Sequence, residues 1–437
     1  MAGGTFTAMN KVRPGVYINF ATSGAPVVLG ERGTVALALP LSWGAPSALT
    51  VLDAGEDTTA KLGYSLAAPE MLLVREAFKR ASRLLLYRLN GGTAAKATSG
   101  TLTATAKYAG VRGNALSIVI AASVDKAGQF DVTTMLEGVA VNKQTVANIA
   151  GLAATDWIVW SGTGELAATA GAPLTGGADG TVTNQNYTDF LAAIELQDFN
   201  TVVYTGTDAV IKGLFAAFVS RMREDEGRKI QTVLENYTTA NDEGVISVKN
   251  GVKLDNGTVL TAGQTAVWVA AATAAAAANE SLTYSRYEGA VDAAPRITNS
   301  ATIAALQGGE FLFTARGGGV VVEQDINSYR SPTALKGKVF GKNAALRVLD
   351  GLANDFKNTF ENFYIGKMAN NDNGRSLFRK DCVKLMDQYQ AIGAIQNFDP
   401  GQDISVSQGA EPDTVVVNAA IQPVDSIEKI YMKVQVK

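Results

Sequence analysis

The 437-residue sequence contains no histidine, and this absence removes more chemistry than any single residue adds. Imidazole-activated serine or cysteine nucleophiles, His-ligated zinc or iron and histidine acid–base catalysis all need a side chain that is missing. The one cysteine, Cys382, allows no intrachain disulfide, which fits maturation in a reducing compartment. Charge is sparse as well: charged residues make up 18% of the chain, and 38 Lys plus Arg nearly balance 41 Asp plus Glu. This balance argues against a nucleic-acid coat or an acidic tail, so no direct nucleic-acid contact is expected. Long apolar runs are also lacking. The longest, residues 267–278, is mostly alanine and is interrupted by Thr273, so no membrane insertion is expected. Residues 1–12 carry a lone Lys11 and no apolar core of the kind an export signal needs.

What the chain does contain is glycine, 44 residues against 11 prolines. Glycine in excess of proline reads as tight turns between strands, and the length suits about three domains. Arg13-Pro14-Gly15 sets a turn before a strand in which Val16, Ile18 and Phe20 share a face. A strand at 35–39, a helix introduced by Pro69 and a strand at 84–89 make an α/β unit. From Thr93 to about Gly180, alternation such as Leu102/Ala104/Ala106 against Thr101/Thr103/Thr105, broken by Gly-rich turns, predicts an inserted β-sandwich with 174–180 as its linker.

The α/β rhythm then returns. A strand at 201–204 precedes a helix capped by Thr207 or Asp208, with Val210, Ile211, Leu214, Phe215, Phe218 and Met222 on one face, and a strand at 230–234. This order predicts a parallel crossover. An alanine-rich helix at 265–278 follows, then strands around Arg316-Gly317-Gly318-Gly319, helices at 343–363 and 376–395, a strand at 414–417 and a final alternating run, 430–436.

Chemistry motifs fail on inspection. In Gly337-Lys338-Val339-Phe340-Gly341-Lys342-Asn343, a phosphate loop would need one more residue between the glycines and Ser or Thr in place of Asn343. Counting back from Gly374 puts Ala369 where a calcium loop needs its first carboxylate, so Asn371–Gly374 reads as the turn that starts a helix. The run Arg221 to Lys229 reads as a solvated helix end, and Cys382, among Leu385, Met386 and Tyr389, as a small buried hydrophobe. No catalytic, metal or cofactor residues emerge and no cofactor is expected. The informative features are the two terminal strands: Val16, Tyr17, Ile18, Asn19 and Phe20, and Ile430, Tyr431, Met432, Lys433, Val434, Gln435 and Val436. Each has one apolar face and each is expected to pair with the sheet edge of another subunit.

Taken in order, the segments Gly3–Phe6, Arg13–Phe20, Tyr87–Gly92, Ala106–Asn114, Arg221–Glu224, Gln231–Val233, Asp325–Ser328, Arg347–Asp350 and Ile430–Val434 resemble a contractile phage tail sheath protein of the Gram-positive phage or phage-tail-like bacteriocin type. The resemblance implies a multidomain α/β fold: an N-terminal arm (1–32), a small N-terminal α/β domain (33–92), an inserted β-sandwich (93–182), a subtilisin-like α/β central domain without protease function (183–332), an α+β C-terminal tube-facing domain (333–425) and a C-terminal arm (426–437). It implies a structural role: stacked hexameric rings in a helical homo-oligomer around a tail tube protein, with baseplate and tail terminator partners, contracting to drive the tube through an envelope. Such a chain is made in the bacterial host cytoplasm and ends in a virion tail or phage-tail-like particle. Arg347, Asp350, Asn354 and Lys357 are the candidate tube-facing residues. A surface adhesin or an α/β enzyme are the alternatives; the first calls for an export signal and the second for a cofactor loop or acid–base pair.

Overall fold

The computed structural model describes residues 2–4, 15–17 and 30–436 and divides into two compact units. One is residues 31–350 with 424–436; the other is residues 351–423 with the described part of 1–30.

The larger unit is organised by a seven-stranded sheet in the order Glu310–Phe311, Val245–Val248, Gln231–Glu235, Thr201–Val203, Thr34–Leu39, Arg83–Arg88, Leu49–Asp53. All neighbours are parallel except Leu49–Asp53, which runs antiparallel to Arg83–Arg88. A parallel sheet is covered on both faces, so its strands are unbroken apolar runs whose residues alternate between two cores. Val35, Leu37, Leu84, Leu86, Val203, Val233 and Ile246 face one core, and Ala36, Ala38, Leu85, Tyr87, Val202 and Leu234 the other.

The first core is filled by helix Ala262–Ala275, in which every residue from Ala262 to Ala274 except Gln264 is buried. Alanine lets this helix sit close to the strands. Its start is set by a capping box: Gln264 N–H donates to Thr261 Oγ1 at 3.2 Å, and Thr261 N–H donates to Gln264 Oε1 at 3.0 Å. The box begins the helix at Ala262, three residues before the expected start at Thr265. The second core is covered by helices Asn184–Glu195 and Ala209–Glu224, which contribute Phe190, Ile194, Phe215, Val219 and Met222. Asp208, not Thr207, is the cap, accepting from Val210 N at 2.7 Å and Ile211 N at 3.4 Å.

The segment expected to form a separate N-terminal domain, 33–92, shares this sheet with 183–332 through the parallel pairing of Thr34–Leu39 with Thr201–Val203. Its three strands alone would leave the backbone groups of Thr34–Leu39 open along one edge, and Thr201–Val203 closes that edge.

Between them sits a sandwich. A four-stranded sheet (Val139–Val146, Phe130–Leu136, Leu116–Ala122, Thr169–Pro173) packs on a three-stranded one (Ile158–Ser161, Leu102–Ala106, Lys96–Ser99) around Leu102, Leu116, Ile118, Ile120, Val132 and Ile158. The inbound strand Gly92–Thr93 pairs antiparallel with the outbound Ala178–Asp179. The segment expected as a linker is therefore built into the fold, with Leu174 fully buried and Thr175 bonded to Lys96 through both backbone groups. Three side chains fasten the sandwich to the sheet. Arg88, buried, donates to the carbonyls of Gly44 at 2.7 Å and Ala109 at 2.8 Å. Arg112 donates to Gly63 O at 2.7 Å and stacks 4.2 Å from the Tyr64 ring centre, and Trp43 packs between Tyr108 and Trp157.

The smaller unit contains helix Asp372–Ala391, the larger part of Asn343–Phe363 and a hairpin of Ile404–Gln408 with Val415–Ala419. Asn371 caps the former helix, its side chain accepting from Gly374 N at 2.9 Å, as its turn-like sequence indicates. Cys382 is 2% exposed and burial pushes its thiol pKa up to about 12, a small hydrophobe in character.

Two glycines test the packing of the larger unit. A Cβ at Gly263 would lie 2.3 Å from the Thr205 carbonyl oxygen, whereas one at Gly213 meets nothing nearer than the Tyr237 hydroxyl at 3.4 Å. Gly263→Ala is expected to destabilise by about 1–3 kcal/mol. Gly213→Ala, inside helix Ala209–Glu224, is expected to be neutral or to stabilise by up to about 1 kcal/mol. Denaturant unfolding followed by tryptophan fluorescence checks both signs.

Candidate assembly site

Helix Asn343–Phe363 begins in the larger unit, and its first turns are buried nearly all round: Ala344, Ala345, Leu346 and Val348, but also Asn343, Arg347 and Asp350. Polar groups placed there must find partners inside the protein. Asn343 Nδ2 donates to Asp325 Oδ1 at 2.9 Å, its backbone N–H to the Asp325 carbonyl at 3.1 Å, and its Oδ1 accepts from Gln231 Nε2 at 3.2 Å. Asp325 Oδ2 accepts from Leu282 N at 3.0 Å and faces Arg347 Nη2 at 3.4 Å, and Arg347 also donates to the Glu280 carbonyl.

Arg223, the penultimate residue of Ala209–Glu224, grips Asp350 with both guanidinium nitrogens, Nη1 to Oδ2 at 2.7 Å and Nη2 to Oδ1 at 2.9 Å, and donates to Ile230 O at 2.9 Å. Burial works against the guanidinium charge, but the Asp350 carboxylate outweighs it and holds the Arg223 pKa above its ordinary value. Four segments that stand apart in sequence, Arg221–Glu224, Gln231–Val233, Asp325–Ser328 and Arg347–Asp350, thus meet in one polar network. Asn327 and Ser328 extend it: Asn327 Nδ2 donates to Phe340 O at 2.8 Å and Ser328 Oγ to Asp242 O at 2.9 Å.

Two of the residues expected to face a tube therefore do not. Arg347, 3% exposed, and Asp350, 8% exposed, are consumed by interior ion pairs; helical periodicity places them off the apolar stripe but cannot show that the opposite side is covered too. Asn354 and Lys357 are half-buried, and Lys357 Nζ lies 3.8 Å from Glu361. Arg223 follows Phe215 and Val219 at four-residue spacing on the buried face, which marks it in the sequence as an interior residue and not part of a solvated helix end.

The terminal strands fare differently from each other. Gly15–Tyr17, containing Val16 and Tyr17, pairs in parallel with Ala2–Gly4 of the same chain, which occupies one of its two edges and departs from the expectation of pairing only outside the subunit. Ile18, Asn19 and Phe20 lie outside the described residues. The run 430–436 forms no ladder among the described residues, with Ile430 79%, Tyr431 91%, Met432 80%, Val434 74% and Val436 95% exposed; Lys433 and Gln435 are exposed as well. An apolar/polar alternation makes a strand only where an edge accepts it. Among the described residues no edge accepts this run.

At the carboxyl ends of the parallel strands, where open α/β sheets hold ligands, Glu235, Lys249 and Asn250 are paired within the protein. Glu235 accepts from Gly263 N at 3.0 Å at the start of helix Ala262–Ala275 and faces Lys212 at 3.4 Å. A shallow cavity of about 450 Å³ opens beside it, and there Lys249 is paired with Glu310 and Asn250 with the backbone of Phe313.

Residues 32–89 match the N-terminal region of domain III of the tail sheath protein Gp18, 90–179 the phage tail sheath protein beta-sandwich domain, 180–328 the phage tail sheath protein central domain and 336–437 the phage tail sheath C-terminal domain. The chain is 38% identical to the phage-like element PBSX protein XkdK of Bacillus subtilis over the whole of both chains. It belongs to the phage tail sheath protein family. The solved sheath tail protein of Desulfitobacterium hafniense is 54% identical, with a TM-score of 0.88 over 97% of this chain and 100% of that one. The sheath of an extracellular contractile injection system, PVC, solved in its contracted state, is 10% identical with a TM-score of 0.60 over 98% of each chain, a likeness of fold. Family and fold point to a structural sheath subunit of a phage or phage-like particle. Among the described residues no helix is long and apolar enough to cross a membrane.

The network makes a directional forecast for this sheath subunit. Asp350→Ala leaves a buried, unpaired guanidinium and is expected to cost about 3–5 kcal/mol, whereas the paired replacement Arg223→Met with Asp350→Leu is expected to be near neutral or stabilising. Equilibrium unfolding of the two variants separates a buried-charge penalty from simple loss of packing.

Proposed function

We propose that this chain polymerises as stacked hexameric rings around a tail tube protein, with baseplate and tail terminator proteins at the ends of the array, and contracts to drive the tube through a bacterial envelope. The observation that carries this reading is the run 430–436: an exposed strand pattern with no partner edge among the described residues, on a chain of the sheath family. A strand of this kind satisfies its backbone groups on the sheet edge of another subunit, and the second edge of Gly15–Tyr17 is suited to the same use. Backbone ladders persist while side-chain interfaces between bodies exchange, so arms keep neighbours connected through a stroke.

The parts divide accordingly. Residues 1–32 and 426–437 act as arms, 33–92 and 183–332 as the body, 93–182 as a peripheral sandwich that adds little to assembly, and 333–425 as the tube-facing part, with Asn354 and Lys357 as its polar contacts. A doubly covered sheet with a buried helix supports a subtilisin-like body, one that lacks any histidine for a protease triad. A contractile array stores free energy, so its extended form is a trap templated by tube and baseplate. At about 25 cal/mol per Å², some 100 Å² of extra apolar contact per subunit in the contracted lattice favours it by about 2.5 kcal/mol.

The test is expression of the chain alone, with imaging of the polymers formed. Monomers or wide, short-pitch tubes are expected from the full chain, and a soluble folded monomer from a deletion of residues 430–437. Stable narrow tubes of extended pitch from the full chain, or normal polymers from the deletion, would overturn the reading.

A further inference from the structure

Among the described residues 425–436, every one is exposed except Glu428. The exposed neighbours include apolar Ile427, at 86%, and Ile430, at 79%, so apolar burial does not hold this segment down. Glu428 instead turns into the body, where three separate segments converge on its carboxylate. Thr283 Oγ1 donates to Oε1 at 3.0 Å, Gln324 Nε2 donates to Oε2 at 2.6 Å, and the Lys342 ammonium pairs with Oε2. Thr283 Oγ1 accepts in turn from Asp325 N at 3.0 Å, and Lys342 immediately precedes Asn343, so the carboxylate is tied into the network around the first turn of helix Asn343–Phe363. Side-chain exposure is 12% for Glu428 and 24% for Lys342, which sets this pair apart from a solvated surface ion pair. Asp425 also approaches Lys342, at 3.9 Å, but its own side chain is 46% exposed and it makes the weaker contact.

We propose that Glu428 is a latch that fixes the root of the C-terminal arm to its own body and thereby limits how far the donated strand reaches toward a second copy of this chain. The proposal rests on the arm-donation reading above and adds a length to it. An extended chain spans at most about 3.3–3.6 Å per residue, so Val434, six residues beyond the latch, lies within about 20–22 Å of it. With the latch open, the nearest remaining tether is Asp425, nine residues away, and the limit rises to about 30–32 Å. A sheet edge that accepts the arm must then lie inside the shorter radius, and the latch becomes a determinant of subunit spacing. Burial opposes the charged form of Glu428, yet Lys342, Gln324 and Thr283 outweigh it and hold its pKa below the ordinary glutamate value, so the carboxylate stays charged at neutral pH.

The latch is read in the unassembled full-length chain by the distance between spin labels placed at Val210→Cys, on the exposed side of helix Ala209–Glu224, and Val434→Cys, in a Cys382→Ala background. The latched chain is expected to give a bounded distribution. Glu428→Ala, which leaves the Asp425–Lys342 contact in place, is expected to extend its far limit by about 10 Å, and the exchange Glu428→Lys with Lys342→Glu to bring it back. An unchanged distribution in Glu428→Ala would overturn the latch, as would the absence of recovery in the exchanged pair. Where Glu428→Ala polymers form, a shift in subunit repeat relative to the unsubstituted chain is expected, and an identical repeat would overturn the link between latch and spacing. Normal assembly after deletion of residues 430–437 would instead defeat arm donation, an outcome separable from the distances because those are measured in the monomer.

Discussion

The parallel pairing of Thr34–Leu39 with Thr201–Val203 is the constraint on which the larger unit depends. These strands are separated in sequence by the whole sandwich, and their ladder makes one sheet of two distant segments. Both cores follow from it, because residues alternate about this common plane: Val35, Leu37 and Val203 pack with helix Ala262–Ala275, and Ala36, Ala38 and Val202 with Phe190 and Phe215. The sandwich follows too. With its flanking strands held in one sheet, the closing pair Gly92–Thr93 and Ala178–Asp179 has fixed ends, and Arg88, Arg112 and Trp43 add a second level of attachment.

On that sheet the polar network does what apolar packing cannot. Buried ion pairs add little net stability, since desolvation offsets most of their attraction, but their geometry is exacting and removal of one partner is costly. Arg223–Asp350 and Asp325–Arg347 therefore fix the geometry of the first turns of helix Asn343–Phe363 within the larger unit more than they stabilise it. The same chain of contacts reaches Glu428 through Thr283, so the first turns of the helix and Glu428 are held by one set of groups.

Much of the local structure was legible in the residues. Continuous apolar runs at 35–39 and 84–89 and the amphipathic face from Ile211 to Met222 became strands and helix because a buried parallel sheet and a half-covered helix impose those patterns. The sandwich was legible from alternation between Gly-rich turns, and the absence of histidine ruled out imidazole chemistry before any fold was known. Boundaries were less so: the alanine-rich helix begins at Ala262 because a Thr261/Gln264 capping box overrides the start of the apolar run, and Asp372–Ala391 begins at the Asn371 cap.

What only the tertiary structure decided was which polar residues are inside and which strand patterns have a partner. Arg347 and Asp350 lie on the polar side of an amphipathic helix by spacing, yet a second layer of protein covers that side, and the residues that pair with them, Asp325 and Arg223, are 22 and 127 positions away. Joining 33–92 to 183–332 in one sheet, and leaving 430–436 without a ladder among the described residues, have the same cause. Local sequence determines that a segment can be a strand, through the alternation of its side chains, but a strand exists only when another backbone supplies its hydrogen bonds, and the identity of that backbone is a property of the folded chain.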